Sequence, residues 1–402
     1  MVKKHKLPRV ALHPATIKHA KKGHPWVTAD SFTKDFPKKE NLLIGKDPKS
    51  DDRIFLLHDP THKKVKARIW EIGKEMPESP NGFIRSFATR LEDSILKRTK
   101  VQEKLNRDNF YLAFAEADGI PGLMIQKFNN IVLVQIYCDF WYYFKNDIRR
   151  IIKKLCAQYF PEVDKTIFQQ RKEADSVKFS DLENKVNEIT IKEFGINYHL
   201  KFDYRYDIGI YSDMSSIRKK LTNEIRGSKR VLNLYSYTGA FSLFSLSLKA
   251  EHVTSVDLSK DYIDWLERNL ALNPQLDASK HTSKISSVEK ALKDFSIAGE
   301  KFDLIICDPP SFSSDGKRSQ NSLKSYDKLI PLMSACLSDS GKIVAFINTH
   351  QTSRKKFNEK IGELAGKEKL SIEKQLKMDE DCKTLGGFAE GDYLKGVVLK
   401  RI

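Results

Sequence analysis

Between Val231 and Asp257 the chain reads VLNLYSYTGAFSLFSLSLKAEHVTSVD, and few folds accept that order. Val231 to Leu234 is a short apolar run that reads as a buried strand. A tight turn around Thr238-Gly239 follows, then an apolar helix from Phe241 to Leu248. A second strand, His252 to Val256, ends in Asp257. This is one βαβ unit of a doubly wound parallel sheet. The turn leaves backbone N–H groups free at a helix N-terminus, and the acid suits the two hydroxyls of a ribose. The turn has the single Gly239 rather than GxGxxG, so it serves a dinucleotide pyrophosphate poorly. A phosphate-free nucleoside cofactor such as S-adenosylmethionine needs fewer close approaches to the backbone. The bland alternative for Asp257 is an N-cap for the helical segment from Lys260.

From about Asp203 onward strands alternate with helices. Helix Lys260–Ala271 is followed by a weak third strand near Lys284–Ser287, and Phe302–Cys307 makes a fourth. Helix Lys324–Leu337, a fifth strand Lys342–Asn348 and a terminal strand Tyr393–Lys400 complete the pattern. Asp308-Pro309-Pro310-Ser311-Phe312 directly follows the fourth strand. Ligands in open α/β sheets sit outside the carboxyl ends of strands. A stiff Asp-Pro-Pro turn there fixes a carboxylate beside the cofactor, and Phe312 suits stacking on an extruded base.

The rest of the chain supplies context. Its 402 residues predict two or three domains. Residues 1–75 are rich in Lys and His, with strands at Arg53–Leu57 and Lys64–Trp70, and read as a small β-barrel module. A Glu/Pro/Gly linker, 75–82, leads to an α+β block over 83–200, and the α/β domain spans 203–402. The middle block is expected to hold a helix over Phe83–Asn106, a helix over Trp141–Tyr159, a loosely structured stretch over Thr166–Val186 and a hairpin over Asn187–Phe202. The formal net charge of +17 favours a polyanionic partner, with solvated lysine-rich faces as the alternative. Lys21, Lys22 and Lys63 are available to RNA phosphates. Trp26 of His24-Pro25-Trp26 is either a stacking surface or a core residue of the module. Five scattered cysteines without a CxxC pair argue against disulfides and zinc and fit a reducing cytoplasm. No apolar run is long enough for a membrane span, and no secretory leader is legible at the start.

Val231–Ala240, Val256-Asp257, Phe302-Asp303 and Asp308–Phe312 together resemble the class I methyltransferases of the ribosomal RNA group. His24-Pro-Trp26-Val, Ala67-Arg-Ile-Trp70, Glu116–Gly122, Gly209–Asp213 and Glu390–Gly396 extend the likeness, in order, to bacterial large-subunit rRNA methyltransferases with an N-terminal PUA domain. The resemblance implies a PUA-like RNA-binding domain, a middle α+β domain and a Rossmann-like catalytic domain that uses S-adenosylmethionine. It implies a partner in large-subunit rRNA or a pre-ribosomal particle. It implies that Asp213, Asp257 and Asp308 line the cofactor pocket, with Asn233, Tyr235, Tyr237, Thr238 and Gly239 at the turn and Ser287 near the adenine. Asp308, Pro309, Pro310, Phe312 and Asn348 fall on the catalytic edge, and Lys317-Arg318 in the following loop suit RNA phosphates.

Two departures matter. Cytosine-C5 members attack the base with a cysteine after the fifth strand, but here Asn348 stands at that place. Cys307 should face away from Asp308 because side chains alternate on a strand; Cys336 falls mid-helix and Cys382 lies outside the motifs. Asn348 resembles the guanine-N7 methyltransferase domain, which points to methylation at nitrogen. Ser286-Ser287 stands where the family has an acid against the adenine. The alternatives are a C5 enzyme with a displaced cysteine and a non-catalytic RNA-binding or ribosome-assembly factor. His350 reads as a surface residue and carries no catalytic assignment.

Overall fold

The computed structural model describes residues 7–47, 49–50, 52–73, 77, 79–171, 177–179, 187–203, 207–310, 322–378 and 380–402. The chain forms two compact units, one of residues 1–187, 203–206 and 380–391, the other of residues 188–202, 207–379 and 392–402.

In the first unit, β1 (Arg9–Ala11), α1 (Pro14–Ala20), β2 (Trp26–Thr28), β3 (Leu42–Lys46), β4 (Arg53–His58) and β5 (Val65–Gly73) build a five-stranded sheet of order β1-β3-β4-β5-β2. Helix α2 (Pro80–Leu105) starts on Ser79, whose side chain accepts from the Gly82 N–H, with Pro80 in the first turn. A second five-stranded sheet follows, from β6 (Asn109–Phe114), β7 (Leu123–Phe128), β8 (Ile131–Ile136), then α3 (Lys145–Tyr159), β9 (Lys165–Arg171) and β10 (Val177–Phe179). One continuous core joins Phe55 and Trp70 of the first sheet to Phe83, Phe87 and Trp141, and on to Phe110 and Phe160. Two expectations change here. Helix α3 begins at Lys145, because residues Asp139–Phe144 wind as a tighter 3-10 turn that buries Phe140 and Trp141. The stretch read as loose contains β9 and β10, paired antiparallel.

The second unit opens with a hairpin, β11 (Asn187–Glu193) and β12 (Ile196–Phe202), followed by α4 (Ser215–Lys220) and α5 (Thr222–Arg226). Its central sheet comprises β13 (Arg230–Leu234), β14 (His252–Asp257), β15 (His281–Ile285), β16 (Phe302–Cys307), β17 (Leu337–Asn348), β18 (Leu370–Leu376) and β19 (Leu394–Arg401). The helices between are α6 (Ala240–Ser247), α7 (Lys260–Ala271), α8 (Val288–Ile297), α9 (Ser322–Ala335) and α10 (Arg354–Lys367). The order is β15-β14-β13-β16-β17-β19-β18, parallel except that β19 runs against both its neighbours. Leu234 pairs with Val256 on one side and Cys307 on the other, so the chain leaves β13, β14 and β16 at one common edge.

The hairpin, assigned from sequence to the middle block, packs on α7 of this unit: the Asn197 and His199 N–H groups donate to the side chains of Asn273 and Asn269, both at 2.8 Å. The third strand lies at His281–Ile285 rather than Lys284–Ser287. Ser287 instead caps α8, an unexpected helix whose Val288, Ala291, Leu292 and Phe295 form one buried stripe. Helix α10 and strand β18 are likewise additions to the sequence reading. Cys336 lies just past α9 rather than within it. Among the described residues no helix is long and apolar enough to cross a membrane, and no His/Cys/Asp/Glu group is placed to hold a metal.

Candidate active site

The turn after β13 is tightly wound. Tyr235, Tyr237 and Gly239 all take left-handed backbone angles, φ 56°, 49° and 86°. Non-glycine residues held there are strained and concentrate at functional sites. Gly239 is required twice over: its φ is unfavourable for other residues, and a Cβ would lie 2.4 Å from Leu266 Cγ. Its N–H donates to the Ser236 carbonyl at 2.9 Å, closing the turn that starts α6.

Asp257 locks this turn from the end of β14. One carboxylate oxygen accepts the Tyr237 N–H at 2.9 Å, the other the Ser259 N–H at 2.9 Å. The helix cap itself is Ser259, whose side chain accepts from Tyr262 N–H, so Asp257 is not the N-cap of α7. Each Asp257 oxygen retains acceptor capacity for a sugar hydroxyl. Just beyond it Leu258 is 60% exposed, and Ile285 at the end of β15 is 52% exposed. These apolar side chains offer a face that a purine ring can cover. Sequence reasoning missed them; the available signal was an apolar residue after each strand with no helical stripe to join. At Ser287 the hydroxyl accepts from Lys290 N–H, while the neighbouring Ser286 N–H donates to the Asp257 carbonyl at 2.9 Å.

Other turn residues act inward. The Asn233 amide donates to Ser242 Oγ at 2.8 Å inside a buried chain that continues through Ser255 to His281. The buried Thr238 hydroxyl donates to the Gly209 carbonyl, and its own carbonyl accepts from Asn269 at 2.9 Å. The Tyr237 hydroxyl accepts the Gly209 N–H at 2.9 Å. Gly209 is thereby clamped from both sides, with φ 112° and Trp265 Cζ2 2.6 Å from where a Cβ would stand. Asp207 accepts from the Tyr262 hydroxyl at 2.9 Å, which ties the segment before Asp213 to α7. Tyr235 is half-buried against the core, and burial raises its hydroxyl pKa.

At the β16 end the chemistry differs. Asp213 is buried and accepts from the Tyr393 hydroxyl at 2.6 Å; burial pushes its pKa up, against the pull of Tyr393 and Arg218. Half-buried Asp308 is pushed up to about 7, by burial of its carboxylate first and by the negative charge of Asp213 second, with Arg218 opposing. Arg218 is itself buried and paired with Glu193 of the hairpin. Pro309 is buried and Pro310 exposed. Asn348 closes β17, paired with Leu394, which puts Tyr393 just past it at the same edge. The exposed His350 ring stands 5.3 Å from the Tyr393 ring. Lys395, only 1% exposed, donates to the Thr349 carbonyl at 2.8 Å and fixes the loop after Asn348; burial lowers its pKa to about 8. Tyr393 and Lys395 had no assigned role in the sequence, although both lie in a stretch that matched. Phe312, Lys317 and Arg318 lie outside the described residues.

All five cysteines are buried. Cys307 faces the core behind the sheet, where burial raises its thiol pKa, and Cys336 donates to the Leu292 carbonyl with its pKa raised to about 11. In the first unit, Lys21 is held by Asp47 at 2.6 Å and Asp52 at 3.5 Å, while Lys22 and Lys63 are exposed. Trp26 is half-buried, its indole N–H on Glu116 at 2.9 Å and its ring 4.7 Å from Phe388.

The sheet order, with a glycine turn after β13 and an acid after β14, defines a class I methyltransferase fold. The family model for S-adenosylmethionine-dependent methyltransferases matches residues 123–370, and the chain belongs to that family. It is an S-adenosylmethionine-dependent methyltransferase. The residues fit that cofactor: the turn leaves no room for a Cβ at Gly239, and Asp257 is fixed with acceptor capacity to spare. Bacillus subtilis YwbD, provisionally named a ribosomal RNA large subunit methyltransferase, is 31% identical over 327 residues, covering 78% of this chain and 80% of that one. Ribosomal RNA large subunit methyltransferase I of Alteromonas mediterranea is 26% identical over 406 residues, 98% of each chain. The crystal structure of SMU.776 complexed with SAH superposes with a TM-score of 0.85 at 23% identity, covering 98% of this chain and 100% of that one, a likeness of fold.

Proposed function

We propose that the protein methylates a base of large-subunit rRNA, at a nitrogen such as guanine N7, and that it works in the cytoplasm on rRNA or a pre-ribosomal particle. The observation that carries the choice of atom is the pairing of Asn348 at the end of β17 with cysteines that are all buried. A C5 carbon needs a thiolate to attack C6 first, and the thiol beside the site, Cys307, is turned into the core. A ring nitrogen brings its own lone pair, so orientation suffices. The names carried by the YwbD and Alteromonas relatives support the rRNA substrate.

Bound S-adenosylmethionine supplies an electrophilic methyl group on its sulfonium. In this reading Asp257 holds the ribose, and Leu258 and Ile285 seat the adenine. Asp308 and the Pro309-Pro310 backbone border the target base, with Phe312 stacking on it and Asn348 orienting its edge. Methylation at N7 leaves a cationic purine, which ionised Asp308 stabilises; at an exocyclic nitrogen the same carboxylate accepts the released proton. Residues 1–75 serve as a PUA-like RNA-binding domain, the block expected over 83–200 serves as a middle domain without its hairpin, and the second unit is catalytic. Lys22 and Lys63, with Lys21 and Lys317-Arg318, contact RNA phosphates.

Mass spectrometry of nucleosides from rRNA of cells with and without the gene tests this. Loss of one N-methylated nucleoside in the deletion strain is expected. Loss of 5-methylcytidine would overturn the nitrogen assignment, and an unchanged rRNA would overturn the substrate.

A further inference from the structure

Within the first unit two tyrosines are set out toward solvent on a rigid support. The 3-10 turn Asp139–Phe144 leaves Phe140 and Trp141 1% and 0% exposed, yet Tyr142 and Tyr143 are 49% and 70% exposed. At three residues per turn Trp141 and Phe144 share an inward line, while Phe140 is buried where the turn begins and Tyr143, three residues on, is exposed. The Trp141 indole N–H donates to the Pro121 carbonyl at 2.8 Å, and Phe140 and Trp141 pack 5.3 and 5.7 Å from Phe83. The backbone that carries the tyrosines is therefore held by the core.

Helix α3 continues from this turn. Ile148, Ile151, Ile152 and Leu155 are buried, and the opposite face exposes Arg150, Lys153 and Lys154. Asp147 pairs with Arg150 at 2.8 Å, leaving the stripe net basic. From Tyr143 to Lys154 the helix advances about 16 Å, a span of a few nucleotides.

We infer that Tyr142, Tyr143 and the stripe Arg150, Lys153 and Lys154 form a docking platform for a single-stranded stretch of the RNA substrate, such as a loop or bulge. The inference rests on the RNA substrate proposed above and adds a contact surface to it. Rings fixed in place lose little freedom on stacking and accept any base, while neighbouring cations follow the backbone. The exposed face beside the rings is cationic rather than aliphatic, which suits phosphates better than an apolar protein patch. Trp26, read from sequence as either a stacking surface or a core residue, packs against Phe388 and is tied to Glu116.

The test uses the full chain and a fluorescein-labelled oligouridylate read by anisotropy, alongside methyl transfer to transcribed large-subunit rRNA. Y142A/Y143A should weaken oligouridylate binding by about tenfold or more, since each stacked base is worth ~1–3 kcal/mol. Y142F/Y143F should keep wild-type affinity. K153E/K154E should flatten the dependence of log affinity on log salt by at least about 0.7 per lysine. Melting temperature and binding of the demethylated cofactor should be unchanged throughout. If the wild type methylates rRNA while Y142A/Y143A binds oligouridylate normally, the platform alone is overturned. If the wild type neither binds oligouridylate nor methylates rRNA, the substrate reading falls with it. Loss of methylation only on assembled particles, with oligouridylate affinity intact, would assign the tyrosines to a protein partner and overturn the RNA platform.

Discussion

Asp257, at the end of β14, and Asp308, just past β16, stand on either side of β13 at the same edge of one sheet. Asp257 accepts one backbone N–H on each carboxylate oxygen, both at 2.9 Å, which fixes the side chain and leaves each oxygen able to accept a further donor. Asp308 has burial and a second carboxylate, Asp213, working against its charge; among the described residues Arg218, already paired with Glu193, favours it. The two strands that flank β13 thus lead into one acid held by fixed donors and one poised to change protonation near neutral pH. In the function proposed above, a fixed acid at the cofactor and a tunable one at the substrate separate affinity from turnover, and that separation can be tested.

The largest effect should come from breaking the turn that Asp257 locks. Gly239→Ala places a Cβ 2.4 Å from Leu266 Cγ at a φ of 86°, and calorimetry should find cofactor binding lost. Asp308→Asn should lower the methyl-transfer rate by about 10²–10³-fold, the range for removing one electrostatic stabiliser, while affinity for the demethylated cofactor stays within about twofold. In the wild type the rate should rise with pH through about 7 as Asp308 ionises, and that rise should vanish in the variant. The stability sign follows: a carboxyl whose folded pKa is raised favours folding below its unfolded value, and the benefit is lost as pH rises through about 7. Asp308→Asn should therefore raise the melting temperature at pH 8, by roughly 2–4 °C for ~1 kcal/mol, and leave it nearly unchanged at pH 4. A variant equally stable at both pH values would deny the charge conflict at this edge.

Asp257→Ala should weaken cofactor binding about 10- to 100-fold, as expected for hydrogen bonds to a charged group at ~1.5–3 kcal/mol, with a smaller effect on the rate at saturating cofactor. An equal loss in both would erase the contrast between the two acids. The smallest change is expected from Tyr393→Phe. Removing the hydroxyl takes away a donor that favours the Asp213 carboxylate, which raises its pKa further and weakens its opposition to Asp308. The rise in rate should move to lower pH, with the maximal rate changed by about two- to tenfold, the worth of one ordinary hydrogen bond. A profile that stays in place would uncouple Asp213 from Asp308.

Much of this site was legible in the chain because it is built from contiguous segments. Strand, single-glycine turn, helix, strand and acid follow one another from Val231 to Asp257, and local periodicity with one turn residue suffices to order them. The inward position of Cys307 followed from alternation along a strand, and its place in the core agrees. Other details were hidden by distance in sequence. Thr238 looked like a cofactor contact, yet its hydroxyl is spent on Gly209, which a separate segment brings over the turn. Asn233, on the second-to-last position of its strand, joins a buried network with Ser242, Ser255 and His281 whose members are far apart in the chain. Helix α8 escaped notice because its stripe begins directly after a strand, with only Ser287 as a cap to mark the change of period.

By itself the sequence determined the βαβ unit, the acids that close its strands and the absence of a thiol after the fifth strand, since each depends on residues within a turn or two of one another. It also placed Gly239 in the turn, while the left-handed angle and the clash a Cβ would meet came from the structure. Tertiary structure alone decided that Asp213 comes to lie against Tyr393, 180 residues later, and that its charge falls on Asp308. Burial and long-range charge are properties of the assembled sheet edge, so no local pattern can carry them. The same holds for Tyr142 and Tyr143, whose neighbours in sequence are buried aromatics: only the packing of Phe140 and Trp141 reveals which rings were left outside.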